Sequence, residues 1–199
     1  DFRSIYQGCI YFRWHCHNLR ILDNDFCQRL EGETHDIENN PIYVALNCNE
    51  GQIHGNDIRR FGRLAIEVWS DYEQTGGITS NTNWRLTNNS VKEPLSWSTH
   101  TPIGISLTCN GKCLVEGNDS EDCVMGLEIY GDHAHVCHYR VIANHWKRTK
   151  AQGMSINGIT GGVLATGNII DRVAIDGSGF PGDPLGAQII NGGRNITLI

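Results

Sequence analysis

Apolar and polar residues alternate over short runs along the whole chain, and an asparagine recurs near the end of each run. "LRILDNDF" (19–26), "GQIHGNDI" (51–58), "WRLTNNSV" (84–91), "YRVIANHW" (139–146) and "VLATGNII" (163–170) share one template. Anchored on Asn24, Asn56, Asn89, Asn118, Asn144 and Asn168, the repeat has spacings of 32, 33, 29, 26 and 24 residues. Five residues before the anchors stand Leu19, Gly51, Trp84, Cys113, Tyr139 and Val163. Three before stand Ile21, Ile53, Leu86, Val115, Val141 and Ala165, and two after stand Phe26, Ile58, Val91, Ser120, Trp146 and Ile170. Only Gly51 and Ser120 clearly break the apolar rule. Alternation with period two predicts a strand with one buried face. A repeat of this length predicts stacked supersecondary units.

A second alternating run lies between anchors: "YVALN" (43–47), "AIEVW" (65–69), "GISLT" (104–108), "GLEIY" (126–130), "GMSIN" (153–157) and "GAQII" (186–190), with "CIYFR" (9–13) one unit earlier. Each unit therefore has two clear strands, a short third segment after the Asn, and loops of variable length. No unit shows a helical period. The spacing varies too much for leucine-rich repeats, and the four antiparallel strands of a propeller blade are missing. What remains is an all-β solenoid of parallel strands, about seven coils stacked at ~4.8 Å, roughly 34 Å long.

The phrase apolar-x-apolar-x-x-Asn-x-apolar resembles the right-handed parallel β-helix, or pectin-lyase-like, superfamily over almost the whole chain. The resemblance implies an inward Asn ladder at a tight corner, each buried amide satisfied by its equivalents above and below. It implies fold more than activity, because lyases, hydrolases, epimerases, fructotransferases and phage tailspikes share this architecture. It also implies that the outer face of the strand preceding the Asn-bearing one carries the binding groove. On the alternation, that face reads Tyr11, Ala45, Glu67, Ser106, Glu128, Ser155 and Gln188.

Composition narrows the function. A chain of 199 residues makes one domain, 1–199, with a sizeable core. The net charge of −6 gives no global support for a nucleic-acid partner, and no apolar run approaches membrane-spanning length. The opening "DFRSIYQGC" is not a signal peptide, and the closing "NITLI" is a strand pattern with no turn after it. The chain is thus expected to be a piece of a longer polypeptide. Ile196 and Leu198 match Leu19 and Ile21 in register, which puts the next ladder Asn two residues beyond Ile199.

On the groove face, Glu67 and Glu128 fall two coils apart, ~9.6 Å between backbones, with Ser106 between them. Carboxylates roughly 6.5–9.5 Å apart suit an inverting glycosidase, which needs room for a water. Solvated surface glutamates are the plainer explanation. The bracketing loops 27–41, 69–83 and 92–103 carry Trp69, Tyr72 and Trp97, planar side chains suited to stacking on sugar rings, together with Asp71 and Glu73. "IYGDHAHVCH" (129–138) follows Glu128 and offers Asp132 and His133 as further acid/base groups. Its "YGDH" resembles the Tyr-Gly…Asp-Pro-His motif of β-helical alginate epimerases, but the spacing differs and the Pro is absent, so no role transfers. His133, His135, Cys137 and His138 have metal-ligating chemistry, yet no second cluster completes a site, and neither a metal nor another cofactor is expected.

Arg20, Arg85 and Arg140, with Arg59, Arg60, Lys92, Lys147, Arg148 and Arg172, form a basic stripe that an acidic polysaccharide could use; the interleaved Asp25, Asp57 and Asp119 make mixed surface charge the simpler account. Cys16 and Cys48 both sit eight before their anchors, close enough for a disulfide between stacked coils, or for two small buried thiols. "CNGKC" (109–113) allows a bridge across a tight turn. Three glycosylation sequons occur, of which the one at Asn118 coincides with a ladder position.

The expected function is a carbohydrate-active β-helix that cleaves or rearranges a polysaccharide, with Glu67, Glu128, Asp132 and His133 as catalytic candidates and Trp69, Asp71, Tyr72, Trp97 and Ser106 as binding candidates. The expected setting is extracellular, secreted or virion-surface. The competing expectation is a non-catalytic structural or glycan-binding solenoid, such as a spike or adhesin stem, and a homo-oligomer such as a trimer is left open.

Overall fold

A computed structural model of the chain describes residues 2–3, 10–27, 40–70, 81–95, 101–109, 111–131, 136–159, 161–173, 185–190 and 196–199. These residues form a right-handed parallel β-helix of three sheets with seven strands each. The first sheet stacks Ile10–Arg13, Ile42–Ala45, Leu64–Trp69, Ile103–Leu107, Met125–Tyr130, Gln152–Asn157 and Leu185–Ile190. The second stacks Arg20–Leu22, Gln52–His54, Arg85–Thr87, Gly111–Glu116, Cys137–Ile142, Gly162–Thr166 and Ile196–Leu198. The third stacks the segments after the Asn corner, from Phe2–Arg3 through Asp57–Arg59 and Asp119–Glu121 to Ile169–Val173. Every described strand pairing is parallel, so each strand's neighbours come from the coils before and after it.

The asparagine repeat is an interior ladder. Asn24 Nδ2 donates to Asn56 Oδ1 at 3.0 Å, Asn56 to Asn89 at 2.9 Å, Asn89 to Asn118 at 2.9 Å, Asn118 to Asn144 at 3.0 Å, and Asn144 to Asn168 at 2.8 Å. Each accepting oxygen also takes the backbone N–H of the preceding anchor. The second amide hydrogen goes to a strand carbonyl, Ile53 O for Asn89 and Val115 O for Asn144, both at 3.0 Å. A buried amide left unpaired would cost about 1–3 kcal/mol, and this stacking leaves none unpaired from Asn56 through Asn144. The residue before each anchor lies in the left-handed region: Asp23, Gly55, Asn88, Gly117, Ala143 and Gly167 have φ between 51° and 67°. Glycine, Asn and Asp tolerate that conformation, which explains the "DN", "GN" and "NN" pairs; Ala143 is the one strained member.

Both breaks in the apolar rule have steric causes. Gly51 underlies the ring of Trp84, where an added Cβ would come within 2.1 Å of the indole carbons. The indole is pinned there because its Nε1–H donates to Cys48 O at 2.8 Å. Ser120 pairs with Trp146 on the next coil, and an added Cβ on Gly104 would lie 1.9 Å from Ser120 Oγ. Small residues thus sit beside the two large fully buried indoles, as close packing demands.

The register of the first sheet corrects one expectation. Tyr43, not Ala45, pairs with Glu67, and Ala45 pairs with Trp69 and is fully buried. That strand ends at Ala45, before Leu46 and Asn47 with φ of 60° and 65°, and lies two residues away from the expected alignment. At the other end, Ile196 and Leu198 pair with Val163 and Ala165 as the repeat implies. The described cysteines are free thiols, six of the seven packed in or against the core. Cys16 and Cys48 do occupy neighbouring coils, with Asn49 N–H donating to Cys16 O at 2.8 Å. Asn118 is 1% exposed, so its sequon is closed to modification.

Candidate functional site

Register alone builds the first layer of the site. Tyr43, Glu67, Ser106, Glu128 and Ser155 occupy one row across successive coils of the first sheet. Between them Ile66, Ile105 and Leu127 on one side, and Val68, Leu107 and Ile129 on the other, point into the core. Toward the strand starts, Ala65 also packs in the core beside Ile66. Two consecutive inward residues rotate the strand, so Leu64, Ile103 and Met125 emerge on the outer side as a separate apolar cluster. Toward the strand ends, Trp69, Thr108 and Tyr130 make a third outward row.

Glu67, Ser106 and Glu128 of the first row line one open cavity of about 440 Å³ together with the other two rows, Arg63 and Thr101. Both candidate glutamates line it. Glu67 is 7% exposed and accepts a hydrogen bond from the Asn40 side-chain amide. Asn40 is itself anchored, because its Oδ1 accepts from the Leu64 N–H at 3.1 Å. Glu128 accepts from the Ser106 hydroxyl at 2.9 Å. Burial pushes the Glu128 carboxyl above its ordinary range, against the opposing pull of the Ser106 hydroxyl and the Arg63 charge. The two carboxyls therefore share a cavity while standing in different surroundings.

An aromatic stack runs from Trp69, at the cavity, toward the first coils. Tyr43 lies 4.9 Å from Tyr11 and 6.3 Å from Trp69, ring centre to ring centre, with near-parallel planes. Burial, and then the neighbouring Glu67 charge, raise the Tyr43 phenol well above its usual range, so it stays a neutral hydrogen-bonding group.

Of the residues expected from the sequence, Glu67, Glu128, Ser106 and Trp69 come together on this cavity. Asp71, Tyr72, Trp97, Asp132 and His133 lie outside the described residues. Sequence reading missed Asn40, Tyr43, Arg63, Thr101, Thr108 and Tyr130. The one available signal was the Ile-x-Val match between "IYVA" and "IEVW", which aligns Tyr43 with Glu67. Cys137 is buried and His138 is exposed, on opposite faces of one strand, so they cannot share a metal ion. Among the described residues no group of three or more His, Cys, Asp or Glu side chains is placed to hold one.

The basic stripe is largely neutralised on the third sheet. Arg59 meets Asp25 at 2.9 Å and Asp57 at 3.4 Å, Lys92 meets Asp57 at 3.5 Å, Lys147 meets Asp119, and Arg148 meets Asp122 at 2.8 Å and also Glu121. These are half-exposed pairs that cross between coils, except Arg59–Asp57, which lies within one strand. On the second sheet Arg20, Arg85 and Arg140 are exposed but alternate along their row with Gln52 and Leu114.

No protein-family model, curated protein or solved structure matches this chain. Among the described residues no helix is long and apolar enough to cross a membrane.

Proposed function

We propose that this β-helix, of the pectin-lyase-like kind, hydrolyses a polysaccharide in the cavity on the outer face of its first sheet. One observation carries the reading: two glutamates two coils apart line one cavity, and burial raises one of them. In this scheme Glu128 is the general acid that protonates the departing glycosidic oxygen. Glu67, held by Asn40, is the general base that takes a proton from the attacking water. Two coils, ~9.6 Å, separate their backbones; the inverting geometry, in which a water stands between carboxylate and sugar, requires the carboxyls themselves to stand roughly 6.5–9.5 Å apart. Ser106 orients Glu128, and Trp69 with Tyr130 gives the sugar planar surfaces against which to lie. Such a protein would work outside the cell or on a virion surface, where polysaccharide is met.

The test is incubation with a panel of neutral and acidic polysaccharides, following new reducing ends, ultraviolet absorbance of unsaturated uronates, and the anomeric configuration of the first product by NMR. Reducing ends of inverted configuration without the absorbance support the reading. Unsaturated products would replace it by elimination, and retained configuration would replace the water-activating base by a nucleophile.

A second reading, a non-catalytic stem or glycan-binding solenoid, draws support from the ion pairs that tie successive coils along the third sheet. Glycan binding with no product from any polymer would favour it.

A further inference from the structure

The three outward rows of the first sheet differ in chemistry, and the difference bears on what the cavity can hold. We propose that the cavity selects an uncharged glycan bearing methyl groups, as acetyl esters or as the C6 of 6-deoxyhexoses, and seats those methyls on the row Leu64–Ile103–Met125. The proposal rests on the reading of the cavity as a glycan site and adds the class of glycan.

The apolar row runs beside the carboxylate row on the same three coils: Leu64 with Glu67, Ile103 with Ser106, Met125 with Glu128. Both rows follow the helix axis, so a glycan lying over the carboxylates presents its side substituents to the apolar wall. Leu64, Ile103 and Met125 are 4%, 6% and 7% exposed, so little more than their tips meet the cavity. A hydroxyl or carboxylate pressed there would lose water without gaining a partner, whereas a methyl gains from burial. The unbranched thioether of Met125 adapts to such a group. The wall is also confined to the coils where the bond would break, because on the next coil Gln152 takes the place of Met125.

Charge points the same way. Among the described lining residues, Arg63 is the one cation beside two carboxyls, and the chain carries a net charge of −6. A polyuronate would run its carboxylates past Glu67 against that field.

The test compares initial rates and affinity electrophoresis on two matched pairs, O-acetylated glucomannan against its alkali-deacetylated form and a rhamnan against a mannan, with polygalacturonate as the charged control. The expected result is a preference of about tenfold or more for the methyl-bearing member of one pair, and which pair responds identifies the source of the methyl. Met125→Gln, which repeats the residue found on the next coil, and the milder Ile103→Val should both shrink that preference; melting curves check that each variant folds. Equal handling within both pairs, fastest turnover of polygalacturonate, or a preference untouched in both folded variants overturns the proposal and leaves hydrolysis standing. Methyl-preferring binding without reducing ends upholds it and overturns hydrolysis. Neither binding nor turnover of any polymer overturns both.

Discussion

Two columns of polar side chains run the length of this molecule, and they behave oppositely. At the interior corner the same residue recurs from coil to coil, and the amides from Asn56 through Asn144 are satisfied by one another together with strand carbonyls. On the outer face of the first sheet the residue type changes from one coil to the next, from Tyr43 to Glu67, Ser106, Glu128 and Ser155. Identical groups with equal numbers of donors and acceptors close a hydrogen-bonded stack. Unlike groups form no such closed stack, and here Glu67, Ser106 and Glu128 line a cavity. Repetition builds the frame, and departure from repetition marks the place where chemistry is available.

The sharpest way to break this comparison is to remove titration from the outer column alone. Glu128→Gln or Glu67→Gln preserves shape but neither donates nor takes a proton, so turnover of the preferred polysaccharide should fall about a hundredfold or more while binding persists. Wild-type rates in both variants would reduce the outer column to a packing surface. The inner column should respond in stability instead. Asn89→Ala removes a donor and an acceptor that Asn56, Asn118 and Ile53 all use, and should cost about 2–4 kcal/mol in urea unfolding. A smaller loss, about 1–3 kcal/mol, is expected for Gly51→Ala, because the new methyl overlaps the pinned indole of Trp84.

Glu128 should set function against stability. Its carboxyl titrates higher in the folded protein than in the unfolded chain, so the folded state binds that proton more tightly. The resulting stabilisation is present below the ordinary carboxylate range, is lost as pH rises through the raised folded value, and is absent at neutrality. Glu128→Gln should therefore melt above the wild type at pH 7, and the gap should close as the pH falls to 4. A variant that melts lower at pH 7 would contradict the assignment of burial as the dominant cause. The smallest effect belongs to the corner geometry. Ala143→Gly relieves the one alanine held at positive φ before a ladder Asn, and should add about 0.5–1 kcal/mol, read as a modest rise in the melting temperature.

The sequence by itself determined the parallel solenoid, the six ladder positions and the outward facing of Glu67, Ser106 and Glu128, because period-two alternation and a repeated buried amide admit few other solutions. It also held the small-beside-large pairing of Gly51 with Trp84, though only as an unexplained gap in a pattern. The alignment of Tyr43 was carried only by the Ile-x-Val match of "IYVA" with "IEVW", not by alternation. A strand slipped by two residues keeps every side chain on its proper face, so alternation cannot tell Tyr43 from Ala45 as the neighbour of Glu67. In the structure that strand stops at Ala45, just before Leu46 and Asn47 turn left-handed. Alternation does not place Asn40, Arg63 and the outward Leu64–Ile103–Met125 row either. They sit where strands begin or bend, outside the alternating core of each repeat. What they meet there depends on how neighbouring coils stack, and stacking is a property of the tertiary structure.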